Sequence, residues 1–324
     1  MKLTDIFLVV VAVMLLAPSG NAQTKYPPET RNAALRYWLA FADLQDPPTD
    51  KVTQDLLEKV AAGDAAWDEA KLGAILDQNE AAILTMQRAT KLLDCDWGLD
   101  YSAGPRASIA YAPRARVLAR LNTLYGIRLV AKGQTQRSVD TWLAGIRFSQ
   151  DLSKGGGLIF ALIAKSSLLS NLHALTRAVE SGALNSAQRK EVESTIRSLP
   201  ETAFDWSEAM RLEEAGLYSF IDQMAQAPNP SEYYASVMGS AAPKDLAVPS
   251  ASDRAAYHRV SLSAQAELRQ SPDAAAPKLT ALQSQIAQLP WFFQQTSPSL
   301  TRTNQSRAEI ASARNELVRA LGSQ

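Results

Sequence analysis

The residues best suited to chemistry in this chain are cations set on amphipathic segments. Lys165, His173 and Arg177 stand at i, i+8 and i+12 of one apolar run, with Leu169 between them and Ser166 and Ser170 beside them. On a helix that spacing makes a polar stripe, and cations with hydroxyls on an apolar helix suit a carboxylate-bearing or otherwise acidic ligand. His173 is the member able to exchange a proton near neutral pH. A second basic cluster comprises Arg106, Arg114, Arg116 and Arg120, with Tyr101 and Tyr111 nearby. Arg116 and Arg120 share a helix face, and arginine beside aromatics makes a surface for anions or carbohydrate. Asp94, Asp96 and Asp100 stand just before this cluster and offer internal ion pairing as the simpler use of its charge. Arg116, Arg120, Lys165, His173 and Arg177 are therefore the candidate ligand surface. No residue is assigned to catalysis, a cofactor or a metal.

Other constellations carry less. Gly155-Gly156-Gly157 opens the apolar run Leu158 to Ile163, and a glycine turn at a helix start can cradle an anion. The lysine spacing of a phosphate loop is missing, so a flexible lead into a buried helix is the plainer expectation. Asp205, Glu208, Glu213 and Glu214 invite a paired-carboxylate reading, but Asp205 and Glu208 sit together as first-turn acids normally do. Cys95 lies between Asp94 and Asp96, and carboxylates on both sides raise a thiol pKa, so a structural role is expected.

The composition narrows the field. The 324 residues carry 33 Lys+Arg against 33 Asp+Glu, a net charge of zero that steers the chain toward neither nucleic acid nor anionic lipid. One cysteine excludes an intramolecular disulfide framework and a four-cysteine zinc site, and two histidines leave little for a histidine-rich metal site. With 46% hydrophobic residues the chain can fill a large core.

The elements that must position these groups read as helix after helix. Apolar residues recur with the helical period at Val117, Leu121, Leu124 and Leu129; at Val139, Trp142, Leu143 and Ile146; at Leu279, Leu282, Ile286 and Leu289; and at Ile310, Ala313, Leu317 and Ala320. Leu35, Trp38, Leu39 and Ala42 give a comparable face to the first helix. The expected helices are 30–45, 50–62, 66–93, 112–132, 135–153, 157–181, 186–198, 201–225, 253–270, 273–289 and 304–321. Short links imply antiparallel neighbours. The fold class is all-α, built of helix hairpins as an irregular solenoid or a bundle. The expected organisation is a main body over 23–224, a proline-containing linker or long loop over 225–252 with a short helix near Tyr233-Tyr234, and a C-terminal helical piece over 253–324 packed on the body.

Residues 1–22 read as an export signal. Ile6 to Ala17 is an unbroken apolar run, followed by Pro18, Ser19 and Gly20, with small residues at Gly20 and Ala22 before Gln23. The run is shorter than the roughly 20 residues of a membrane span, so cleavage, giving a periplasmic or extracellular product with no stable span, is expected ahead of an uncleaved anchor.

Two resemblances add to this. Over 122–156, Tyr125-Gly126, Leu129, Gly133, Ser138, Trp142 and Gly145 resemble the spacing of a tetratricopeptide unit, a helix hairpin in which small residues let two helices approach. The usual alanines are Ser138 and Gly145 here, and no second copy follows. Cys95-Asp96-Trp97-Gly98, the helix from Arg114 to Gly133 and Pro298-x-Leu300-x-Arg302 resemble a group of uncharacterised exported bacterial helical proteins. That resemblance implies an all-helical exported protein and no activity. The leading expectation is a non-catalytic module whose helical surface binds a protein or peptide partner. The alternative is an enzyme or carrier for an envelope-derived anionic small molecule, which a cavity shared by Arg116, Lys165 and His173 would favour.

Overall fold

The computed structural model describes residues 31–106 and 109–322, so the expected signal segment lies outside the described residues. The described chain is all-α. The helices are α1 (Ala33–Asp43), α2 (Lys51–Ala62), α3 (Glu69–Ala89), α4 (Ala112–Ala131), α5 (Thr135–Ser153), α6 (Leu158–Glu180) and α7 (Ser186–Ser198). They continue with α8 (Trp206–Gln226), α9 (Pro230–Met238), α10 (Ala251–Glu267), α11 (Pro272–Ile286), α12 (Trp291–Thr296) and α13 (Leu300–Gly322). A 3₁₀ segment, Tyr101–Arg106, lies between α3 and α4.

Starts are set by short polar side chains. Asn32, Asp50, Asp68, Asn185, Asp205, Asn229, Ser250 and Ser271 each accept a first-turn backbone N–H. The helix expected from residue 201 begins at Trp206, because Asp205 is its cap and Ala203 turns the chain with φ +60°. The 225–252 stretch contains α9, and Tyr234 and Leu246 bury themselves against Phe220, Ile221 and Met224 of α8. Phe292 and Phe293 of α12 join the same small core together with Tyr257 of α10.

The larger core runs from α1 through the first turns of α8 and takes in α10, α11 and α13. Its centre is α6, which packs against α2, α4, α5, α8 and α13. Among the described residues α6 is the one helix long and apolar enough to cross a membrane, and most of its apolar window is buried by these neighbours. The α4–α5 hairpin closes tightly. A side chain on Gly126 would collide with the Trp142 indole, whose Nε1 donates to the Thr123 carbonyl at 3.1 Å, and the Ser138 hydroxyl donates to the Gly126 carbonyl at 2.9 Å.

The face of α1 differs from expectation. Leu35, Trp38 and Leu39 are exposed, and Ala33, Ala34, Tyr37, Ala40 and Phe41 are buried instead. The reason lies beneath the helix. Asp151 of α5 is 0% exposed, and the Tyr37 hydroxyl donates to its Oδ2 at 2.7 Å. Lys154 Nζ lies 2.9 Å from Oδ1 and Arg147 Nη2 at 3.4 Å. The Asp151 carbonyl accepts from Trp97 Nε1 at 2.8 Å and from Cys95 Sγ at 3.7 Å. A buried carboxylate demands such partners, and α1 turns its tyrosine rather than its leucines toward it. Burial first, and then the Asp151 charge, push the Cys95 thiol up to about 12, so it stays protonated.

Replacing Asp151 by Ala strands the Tyr37 hydroxyl and two cations. The expected loss is about 3 kcal/mol in urea unfolding, with Tyr37→Phe losing about 1 kcal/mol.

Candidate functional site

The face of α6 that escapes burial carries Ile159, Leu162, Ser166 and His173. Opposite it stand α2 and α4, and between the three helices lies an open cleft of about 510 Å³. Ala61 and Ala62 of α2 and Ala115 and Ala119 of α4 are too small to close the gap, and Leu152 and Ile163 complete an apolar floor. Arg116, Arg120, Ser166, Ser170, His173 and Glu58 supply the polar lining. Three of the five residues predicted as a ligand surface, Arg116, Arg120 and His173, therefore share one cleft. Two helices bring them there: Arg116 and Arg120 are one turn apart on α4, and Ser166, Ser170 and His173 follow the i, i+4, i+7 line of α6.

Their electrostatic states differ. Arg116 is exposed and makes no hydrogen bond or ion pair among the described residues, and the same holds for His173. Arg120 is held against α2: Nη1 donates to Gln54 Oε1 at 3.0 Å and Nη2 to the Gln54 carbonyl at 3.4 Å. Its Nε is buried with no partner. Burial lowers the Arg120 pKa from its ordinary value, and the nearby Glu58 charge works against that shift. The Ser170 hydroxyl donates to the Ser166 carbonyl at 3.0 Å and so keeps its oxygen as an acceptor. The cleft thus sets a free guanidinium, an imidazole and a second, half-buried guanidinium over an apolar floor, which is the chemistry that pairs with an anionic group.

The other two predicted residues are used by the fold. Lys165 pairs with Glu309 of α13 and donates to the Ser306 hydroxyl at 3.2 Å. Arg177 donates from Nη1 to the Ala62 carbonyl and from Nη2 to the Ala61 carbonyl, each at 2.9 Å, and so caps the C-terminus of α2. The i, i+8, i+12 stripe separates because a helix advances about 100° per residue, which leaves Lys165 and Arg177 about 120° apart around the axis. Lys165 turns to α13 and Arg177 to α2.

The arginines near 106–120 divide in the same way. Arg114 donates to Asp46 Oδ1 and to the Leu44 carbonyl, both at 3.1 Å, and Arg106 lies 5.0 Å over the Tyr233 ring. Asp96 and Asp100, expected to pair with this cluster, accept from backbone N–H groups of their own turns at Gly98 and Ser102. Tyr234, on the short helix of the 225–252 stretch, is buried. Glu58 and Gln54 were not singled out from sequence; their i, i+4 spacing on α2 marks a shared polar face, but nothing local says which helix it meets.

The glycine turn before α6 holds an anion supplied by the chain itself. Glu213 Oε2 of α8 accepts the Leu158 N–H at 3.0 Å, and a side chain on Gly157 would collide with that oxygen. The Tyr101 hydroxyl closes the turn by donating to the Gly155 carbonyl at 2.6 Å.

The chain matches no protein-family model, no curated protein and no solved structure.

Cations spent on the fold and cations left in the cleft should separate in unfolding experiments. Arg177→Ala is expected to lower stability by about 1–2 kcal/mol through the loss of its two carbonyl contacts. Arg116→Ala and His173→Ala should each stay within about 0.5 kcal/mol of the parent chain.

Proposed function

We propose that this chain is an exported, non-catalytic binding protein that holds an anionic small molecule with an apolar body in the α2–α4–α6 cleft. The observation that carries the reading is the convergence of Arg116, Arg120 and His173 on one cleft, with Arg116 and His173 unpartnered inside the fold. The cleft volume of about 510 Å³ falls within the range of small-molecule sites, about 300–1,000 Å³. A carboxylate or phosphate head takes paired N–H donors from Arg116 and further donors from Arg120 and His173. The apolar body lies on Ala61, Ala115, Ala119, Leu152 and Ile163. Export rests on the apolar run Ile6–Ala17 and the small residues after it.

An acidic peptide is the second reading. Its specific support is the line Ile159, Leu162, Ser166 and His173 on α6, which extends beyond the cleft over about 21 Å.

Calorimetric titration with octanoate, octyl phosphate and octanol checks the proposal. Both anions are expected to bind, octanol at least about tenfold more weakly. Arg116→Ala should cost octanoate about tenfold, and raising salt should weaken the anions but not octanol. Octanol binding as tightly as octanoate, or an Arg116→Ala variant with unchanged affinity, overturns the proposal. Binding of an acidic peptide with neither alkyl anion bound transfers the cleft to the second reading.

A further inference from the structure

A second cavity lies at the other end of α6, where the 3₁₀ segment, α6 and α8 meet the small aromatic core. It measures about 250 Å³, below the range for drug-sized ligands. Its walls are apolar and aromatic: Tyr101, Phe160, Leu212, Leu217, Phe220 and Tyr257. Ile109, Ile159 and Met238 also line it and are exposed, which places them at its mouth.

Two polar groups in this cavity are not consumed by the fold. The first is Glu213. Its Oε2 takes the Leu158 N–H, and its Oε1 accepts no hydrogen bond. The acids around it are satisfied by contrast. Asp205 caps α8, Glu208 chelates Arg211 through both oxygens, and Glu214 binds His258 Nδ1 at 2.7 Å. The second is Tyr257, fully buried, whose hydroxyl has the Ser297 hydroxyl as its neighbour and, like it, makes no well-formed hydrogen bond among the described residues. A buried, unpaired hydroxyl and a half-used carboxylate in an apolar cavity are costly unless something completes them.

We propose that this cavity is a binding site for a small primary ammonium compound with an aromatic or aliphatic body, one N–H held by Glu213 Oε1 and a second by the Tyr257 hydroxyl. The charge is chosen by Glu213, which lacks a cationic partner, and by the ring faces of Tyr101, Phe160, Phe220 and Tyr257, which attract a cation. The apolar walls and the volume choose the body. Burial already raises the Glu213 pKa, offset in part by the Leu158 N–H, so an arriving cation relieves a carboxylate that the cavity disfavours. The site is independent of the α2–α4–α6 cleft, with which it shares no lining residue.

The test is calorimetric titration of the purified chain with 2-phenylethylammonium, 3-phenylpropanol and 3-phenylpropionate at neutral pH. The ammonium is expected to bind at least about tenfold more tightly than either of the others. Glu213→Gln keeps an oxygen for the Leu158 N–H, so the fold should persist while ammonium affinity falls to that of the alcohol. Tyr257→Phe should weaken it about threefold or more without lowering thermal stability. A side chain at Gly216 has room, since its first carbon would meet only Tyr101 at 3.7 Å, so Gly216→Leu should fill the cavity and abolish binding. Arg116→Ala should leave ammonium binding unchanged. Equal affinity for the three probes, no binding of the ammonium, an unaffected Glu213→Gln variant, or loss of binding in Arg116→Ala each overturns the inference.

Discussion

Asp151 is a carboxylate at 0% exposure in the middle of a helical body, and a charge so placed is tolerated only when its surroundings supply donors. Tyr37 of α1 donates to the carboxylate, and Arg147 of α5 and Lys154 just after it pair with it. The backbone carbonyl of the same residue accepts from Trp97 and Cys95 of the loop after α3. The consequence extends well past the carboxylate. Trp97, fixed by its bond to the Asp151 carbonyl, stacks on Tyr111 with ring centroids 4.2 Å apart, and Tyr37 and Phe41 flank it. Tyr111 stands immediately before α4 and contacts Phe160 of α6. The buried carboxylate thus sets the rotation of α1, while the carbonyl of the same residue seats the 95–97 loop, which reaches the start of α4 through the Trp97–Tyr111 stack. Through Tyr111 the same stack touches Phe160, one wall of the cavity.

The α6 helix shows how a core element comes to serve two surfaces. Its composition would suit a membrane span, yet its neighbours cover all but one narrow face. Along that face the lining changes from apolar at Ile159 and Leu162 to hydroxylic at Ser166 and then basic at His173. The N-terminal end faces a carboxylate from α8, and the C-terminal half faces guanidinium groups from α4. The two ends therefore meet side chains of opposite charge, and the separation follows from which helix crosses α6 at each level.

Much of the architecture was legible before any coordinates. The helical period placed the buried faces of α4, α5, α11 and α13, and short polar caps placed most starts, because both are local properties of the chain. The first helix escaped for a physical reason. Leu35, Trp38 and Leu39 make the more hydrophobic face, and only a long-range hydrogen bond from Tyr37 to Asp151, 114 residues away, favours the other. The short α12 carries too few turns to show a period. Glu213 was visible only as one acid among four, since its distinction is the absence of a partner that its neighbours possess.

The same logic decides which cations belong to a site. Sequence supplied five candidates of equal standing, and each was a basic residue on a helix. What separates them is whether an acid or an uncapped carbonyl lies within reach. Lys165 finds Glu309, and Arg177 finds the last carbonyls of α2. Arg120 is half satisfied by Gln54 and keeps one buried N–H unspent. Arg116 and His173 find nothing and face a floor of alanines that leaves space above it. The carbonyls at a helix end draw an arginine as readily as a ligand does: α2 stops at Gly63 with φ +92°, and its Ala61 and Ala62 carbonyls still take Arg177. Charge on a helix face is therefore a poor guide to binding taken alone. Charge left over after helix termini and buried acids have been satisfied is a better one, and among the five cations singled out from sequence that remainder gathers in a single cleft.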